Sequence, residues 1–119
     1  MESYANSLSG GHDPSVVKAI PYGVFDKDAA EEISAAITAS ALVVDCSASI
    51  AVGRYISHKL AGNTRAVSFF MNPSGTSLIM LLESSSRSTR LDTLEMQYYR
   101  MLIRESALSE HLKSDQRVL

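Results

Sequence analysis

The sequence predicts an α/β fold with a three-layer, Rossmann-like mixed sheet, in which parallel strands precede an antiparallel strand pair and a C-terminal helix. Residues 41–46 form an apolar run without polar alternation, which is typical of a parallel strand covered on both faces. Helical spacing begins directly after this run, so Asp45 is predicted at the carboxyl end of a buried strand, where open α/β sheets bind ligands. Two β-rich runs joined by a turn-forming loop follow later in the chain.

The amino-terminal part of the sequence is predicted to contain a leader, a strand and a helix. Residues 1–13 are polar and turn-prone, so we expect a flexible leader. Residues 16–22 are apolar with a proline near their end, which favours an edge strand because proline cannot donate to a β-ladder. Asp28 and Glu31 have the spacing of a capping box and predict an amphipathic helix to about residue 40.

The middle of the chain is predicted to form a helix and a hairpin. Ser49 is a suitable N-cap for a helix that Gly62 ends. Residues 65–71 and 77–83 are rich in β-formers, and the loop 72–76 between them contains Asn, Pro, Ser and Gly. We therefore expect these two strands to be antiparallel neighbours.

The last helix has an apolar surface wide enough for two contacts. Asp92 and Glu95 form a second capping signal, which predicts a helix to about Glu105. The width of this surface predicts that the helix packs against the sheet and a neighbouring element, or that it forms an interface with a second copy of the chain. Its members are Leu91, Leu94, Met96, Tyr98, Tyr99, Met101 and Ile103.

Composition limits the classes of function. The 119 residues suit one domain, predicted over 14–109 with a tail over 110–119. A net charge of −2 without long charged runs disfavours nucleic acid and anionic membranes as partners. One cysteine forms no internal disulfide, and the sequence near Met1 lacks a signal-peptide pattern, so a cytoplasmic location is expected. The longest apolar run is far below the ~20 residues that span a bilayer.

Residues 13–54 resemble the second half of a ThiF/MoeB-type adenylation domain of the ubiquitin-activating-enzyme superfamily. In that family an Asn-Pro precedes a strand, an acidic helix follows, and an apolar strand then ends in Asp-Cys or Asp-Ala. Asp13-Pro14 stands at the first position and Asp45-Cys46-Ser47 at the second. Residues 67–83 are similar to the late strand pair of the domain, and residues 91–103 to the helix after it.

The resemblance implies an adenylyltransferase that uses MgATP to activate the C-terminal carboxylate of a ubiquitin-like or sulfur-carrier protein. Asp45 would hold magnesium, and Asp45 and Arg54 would contact the cofactor. The family's glycine-rich phosphate loop and phosphate-binding side chains lie upstream of the matched region, and no G-x-G-x-x-G occurs here. We therefore expect a partial domain, inactive alone, that binds ATP and Mg only when intact.

A different class of function stays open. The chain is equally suited to a noncatalytic α/β interaction or dimerisation module, with a homo-oligomer formed through the last helix. The hypothesis of a dehydrogenase-like half-domain has less support, because such a domain needs a glycine-rich phosphate loop that this sequence lacks.

Three further features have ordinary structural interpretations that we favour, and a fourth has one that stays open. Cys46 is expected to pack as a small hydrophobe rather than act as a nucleophile. Arg87 and Arg90 in a serine-rich loop are suited to an anion, although such loops are common on surfaces. The three histidines are too scattered for a zinc site. Asp45 itself is alternatively a turn residue that leads into a helix.

Overall fold

The computed structural model describes residues 18–60 and 62–113, and the chain divides into two compact units between Ile33 and Ser34. The helices are α1 (Ala30–Ala39), α2 (Ile50–Tyr55) and α3 (Leu91–Arg104). The strands are β1 (Leu42–Asp45), β2 (Arg65–Met71) and β3 (Leu78–Leu82). A π-helical turn, Ile56–Leu60, continues α2, and a 3₁₀ turn, Ser106–Leu108, follows α3.

The sheet is mixed, with strand order β1-β2-β3. β1 pairs with β2 in parallel, and β2 pairs with β3 in antiparallel fashion. The predicted strand within 41–46 and the predicted hairpin are therefore confirmed. The expectation that this strand is covered on both faces is wrong, because β1 is an edge strand of the described sheet and its Leu42 and Val44 are 43% and 54% exposed. The long connection through α2 is what parallel pairing of β1 with β2 requires, since parallel neighbours cannot be joined by a tight turn.

The helices α2 and α3 cover one face of this sheet. Ile56, Ala66 and Leu91 form one buried cluster, which joins the turn after α2, the start of β2 and the start of α3. A second buried cluster contains Ile79 of β3 with Tyr98 and Leu102 of α3. The apolar side of α3 that the sequence predicted is therefore used inside the chain.

The opposite face of the sheet is apolar and largely exposed. Alternation along the strands places Val67 and Phe69 at its centre, where they are buried and half-buried respectively. Around them, six large apolar side chains are between 43% and 66% exposed. We call these six the open sheet face: Leu42, Val44, Met71, Leu78, Met80 and Leu82. The mixed α/β sheet is thus observed, while the described helices that pack on it cover a single face.

A fully buried carboxylate, Glu83, joins the sheet to α3. One oxygen accepts the backbone N–H of Ala66 at 3.1 Å, and the other accepts that of Leu91 at 3.0 Å. The Arg87 Nε donates to the carboxylate at 2.7 Å, and the Arg90 Nε lies 3.6 Å from it. Because a buried charge needs both a counter-charge and hydrogen bonds, this arrangement satisfies the two requirements together.

Arginine side chains also donate to backbone carbonyls around Glu83. The Arg65 guanidinium donates through two nitrogens to the Glu83 carbonyl, at 3.1 and 2.7 Å. Arg87, whose φ of +52° lies in the left-handed region, also donates to the carbonyl of Gly62. The anion that Arg87 and Arg90 face is therefore the carboxylate of Glu83, a residue of the same chain.

Several predicted boundaries were wrong. Residues 18–22 are irregular rather than part of a strand over 16–22, and residues 16–17 lie outside the described part. α1 begins at Ala30, and the Asp26 carboxylate accepts the Asp28 N–H in a preceding turn, so Asp28 does not start the helix. α3 begins at Leu91 with Arg90 as its N-cap, which places Asp92 inside the first turn.

The C-terminal part of the described chain is tied to α3 and to the hairpin loop. The Tyr98 hydroxyl lies 2.9 Å from the His111 Nε2, and the Asn72 side chain donates to the His111 carbonyl. Burial, with a smaller effect from Tyr99, raises the pKa of Tyr98 above its ordinary value. Within the described residues, no helix has the length and apolar character that crossing a bilayer requires.

Candidate functional site

The turn after β1 positions Asp45 and begins α2. The Asp45 carboxylate accepts the N–H of Ser47 at 2.9 Å, and Ala48 follows with a left-handed φ of +54°. This reversal brings Ser49 to the N-cap of α2, where its hydroxyl accepts the Val52 N–H at 3.4 Å. The predicted N-cap is therefore confirmed, and the left-handed residue is not a glycine, which is uncommon outside tight or functional turns.

Asp45 lies at the carboxyl end of β1 and is only 4% exposed. Its second oxygen accepts the hydroxyl of Ser68, the residue beside it on β2, at 3.3 Å. The same oxygen lies 3.5 Å from the position that a Cβ on Gly53 would take. Both carboxylate oxygens are thus held by the turn and by the adjacent strand.

Arg54 faces α3. Its Nε donates to the Glu95 carboxylate at 3.4 Å, and the Arg54 side chain is about half exposed. Glu95 is 9% exposed, and its other oxygen, Oε1, is buried with no hydrogen-bond partner. Arg54 therefore binds one oxygen of a buried carboxylate, and its described contact is with Glu95 rather than with Asp45.

A cavity of about 170 Å³ opens beside these groups, between α2, α3 and the covered face of the sheet. Its walls are mostly apolar, and among the residues that the structure describes its charged lining side chains are Asp92 and Glu95. The lining residues are Ala48, Ser49, Ile50, Gly53, Ser68, Phe70, Leu81, Leu91, Asp92, Glu95 and Tyr99.

Asp92 is hydrogen-bonded on the rim of this cavity. It accepts the hydroxyl of Ser57, which is fully buried, at 3.2 Å, and it lies 3.1 Å from the His58 Nε2. Burial opposes ionisation of Asp92, but the Thr93 N–H, the Ser57 hydroxyl and His58 outweigh it, so its pKa is lower than the ordinary 3.8. Asp92 is therefore an anion at neutral pH.

The sequence pattern predicted the position of Asp45 at the end of β1 but not the contacts of Glu95 and Asp92. The two acidic residues three apart were interpreted as a capping signal, whereas the structure pairs them with Arg54 and with Ser57 and His58. The available signal was helical phase: Glu95 lies one turn before Tyr99 and one turn after Leu91, on a side of α3 that the apolar pattern already predicted to be covered.

The magnesium site implied by the family resemblance does not fit the described residues as they stand. Asp45 is a single buried carboxylate with both oxygens hydrogen-bonded, whereas protein-bound Mg²⁺ keeps several waters in an octahedral shell. Within residues 18–60 and 62–113, no group of three His, Cys, Asp or Glu side chains is placed to hold a metal ion. Cys46, expected to be packed, is a free and exposed thiol.

No protein-family model, curated protein or solved structure matches this chain.

Acidification is predicted to destabilise the protein through Asp92. Folding lowers the pKa of Asp92, so its stabilising effect is complete above the unfolded value of 3.8 and is lost as pH falls through the folded value. We expect Asp92→Asn to flatten the fall in Tm between about pH 4.5 and about pH 2.5, measured by circular dichroism. Asp28→Asn, in an exposed turn, should keep the wild-type slope, and an unchanged slope in Asp92→Asn would contradict the assignment.

Proposed function

We propose that the chain is a noncatalytic α/β interaction module that forms a homodimer by stacking its open sheet face on that of a second copy. The observation that carries this proposal is the exposure of six large apolar side chains on one face of a three-stranded sheet. Isolated exposed apolar residues are normal on protein surfaces, but a contiguous group of this kind marks an interaction site.

A second copy is favoured as the partner because the six residues of the open sheet face are uncharged, and Arg65, beside Leu42 on the same side of the sheet, is bound to the Glu83 carbonyl. All six of its members are aliphatic side chains or methionines. A twofold interface places the same patch on both sides, so a patch with charge of one sign would face charge of the same sign. An uncharged face avoids that repulsion, and methionines at two of the six positions allow the two surfaces to adapt to each other.

The size of the open sheet face predicts a weak dimer. Six side chains, each about half exposed, offer roughly 300–400 Å² of apolar surface per subunit. A standard interface buries about 800 Å² on each partner, so this face supplies the apolar centre of an interface and little of its rim. Since association also costs translational and rotational freedom, we expect a dissociation constant in the micromolar range.

The dimer is testable with a matched pair of substitutions. Met80→Glu places a charge in the open sheet face, and it should raise the dissociation constant at least about 100-fold because that charge would be buried in the dimer. Ile103→Glu changes a residue that is 86% exposed on α3, outside this face, and should leave the constant unchanged. Sedimentation equilibrium over micromolar concentrations measures both.

Three results of that experiment would overturn the proposal. A wild-type protein that is monomeric at about 1 mM would contradict the proposed dimer. Equal dissociation constants for Met80→Glu and the wild type would show that the open sheet face is not the dimer interface. Loss of the dimer in Ile103→Glu alone would transfer the interface to α3, as the breadth of its apolar surface suggested.

As a second candidate, we propose that the chain is part of an adenylation domain that another polypeptide segment completes. The position of Asp45 at the carboxyl end of a parallel strand, directly before α2, supports it. Additional helices over the open sheet face would give the three-layer Rossmann-like arrangement. This candidate includes MgATP and a ubiquitin-like or sulfur-carrier protein as partners, in a cytoplasm that keeps Cys46 reduced.

The adenylation candidate predicts an activity of the protein expressed from its full gene. We expect ATP-dependent exchange of pyrophosphate in the presence of its carrier protein, and a fall of at least about 100-fold in Asp45→Asn with an unchanged Tm. Asparagine keeps an acceptor for the Ser47 N–H, so packing is preserved. Asp28→Asn serves as the control, and equal exchange rates in Asp45→Asn and the wild type would contradict the role of Asp45.

A further inference from the structure

Two methionines are neighbours in the open sheet face. Met71 on β2 is 57% exposed, and Met80 on β3 is 56% exposed. Met80 pairs directly with Phe69, and Met71 pairs with Leu78, so the two methionines are diagonal neighbours on one face of the sheet, roughly 7–8 Å apart. The apolar surface proposed to meet a second copy therefore contains two thioethers that solvent reaches in the single subunit.

We propose that Met71 and Met80 form a redox-sensitive modification site that controls the dimer. A hydroperoxide converts their thioethers to sulfoxides, and the oxidised faces no longer pack against each other. This role rests on the dimer proposed above and assigns a regulation to the same open sheet face.

The modification transfers one oxygen atom to sulfur. A lone pair of the thioether sulfur attacks one oxygen of the hydroperoxide, so that an S–O bond forms and the O–O bond breaks. The thioether is oxidised to the sulfoxide, and hydrogen peroxide is reduced to water after a proton moves to the departing oxygen. The reaction needs a thioether that solvent reaches, which both side chains provide. Methionine sulfoxide reductases reverse it.

Oxidation changes what the open sheet face offers to a partner. A sulfoxide adds a polar oxygen to a side chain that was flexible and apolar. In the single subunit this oxygen faces water, so we expect the fold to be kept. In the dimer it meets leucine, valine and methionine side chains, which have no N–H or O–H to donate. Because both copies contribute such oxygens, a weak dimer should dissociate.

The weakness of the dimer keeps both thioethers within reach of the oxidant. A dissociation constant in the micromolar range leaves free subunits at ordinary protein concentrations, and oxidation withdraws these subunits from the dimer equilibrium. Met96 and Met101 on α3 are 51% and 47% exposed and lie outside the open sheet face. They are therefore internal controls of similar exposure.

The dissociation constant before and after treatment with hydrogen peroxide tests the site. Every protein carries Cys46→Ser, because Cys46 is an exposed thiol that peroxide also oxidises. In this parent protein, peroxide should raise the dissociation constant at least about 30-fold by sedimentation equilibrium, with an unchanged far-ultraviolet circular dichroism spectrum. Reductases for both sulfoxide epimers should restore the original constant.

Two double substitutions separate the open sheet face from α3. Met71→Leu with Met80→Leu keeps the volume and apolar character of the face, so this variant should dimerise as the parent does and keep its dissociation constant after peroxide. Met96→Leu with Met101→Leu is the matched control, and its dimer should weaken on oxidation as much as that of the parent.

Tryptic peptides report the two pairs of methionines separately. Residues 66–87 form one peptide with both methionines of the open sheet face, whereas Met96 lies in 91–100 and Met101 in 101–104. Raising the protein concentration well above the dissociation constant should slow sulfoxide formation in 66–87 several-fold, because the dimer covers this face. The rates in the other two peptides should stay constant.

The possible failures of this site and of the dimer are distinguishable. A parent protein that dimerises with the same constant before and after oxidation of 66–87 would overturn the site and leave the dimer in place. An equal effect of peroxide on Met71→Leu with Met80→Leu, or a loss of the circular dichroism signal in the oxidised parent, would also overturn the site. A parent that is monomeric before peroxide is added would overturn both.

Discussion

The burial of Glu83 is the constraint on which the rest of the structure depends. This carboxylate receives the N–H of Ala66 at the start of β2 and the N–H of Leu91 at the start of α3, and Arg87 balances its charge. A single side chain thus fixes where α3 begins relative to the central strand. Removing it would leave the N–H groups of Ala66 and Leu91 without this acceptor and the Arg87 guanidinium without this counter-charge, and each loss is costly in a low-dielectric interior.

The cavity and the open sheet face both follow from the position that this interaction gives α3. Leu91 and Glu95 line the cavity because the first turn of α3 is held against β2, and Tyr98 further along packs edge-on against Phe70. One side of the sheet is therefore covered by α2 and α3. The other side keeps six exposed apolar residues, so the cavity and the open sheet face lie on opposite faces of the same sheet.

Local pattern predicted the elements from β1 to α3 but not the side-chain contacts that join them. The β2–β3 hairpin and the Ser49 cap were predicted correctly because they depend on neighbouring residues: turn formers in one case, a hydroxyl three residues before an N–H in the other. The pattern predicts only that Glu83 ends the second strand of the hairpin, since its partners are 4 to 17 residues away and only folding brings them together. Glu95 was misread for the same reason, because its partner Arg54 is 41 residues away.

The most direct test of this account is the free energy of unfolding of Glu83→Gln, measured with urea alongside Glu31→Gln on the exposed side of α1. Glutamine retains the size of the side chain but removes the charge that Arg87 balances and turns one acceptor into a donor facing a backbone N–H. The account predicts a loss of about 3–5 kcal/mol for Glu83→Gln and less than about 0.5 kcal/mol for Glu31→Gln. Equal free energies for the two variants would contradict it.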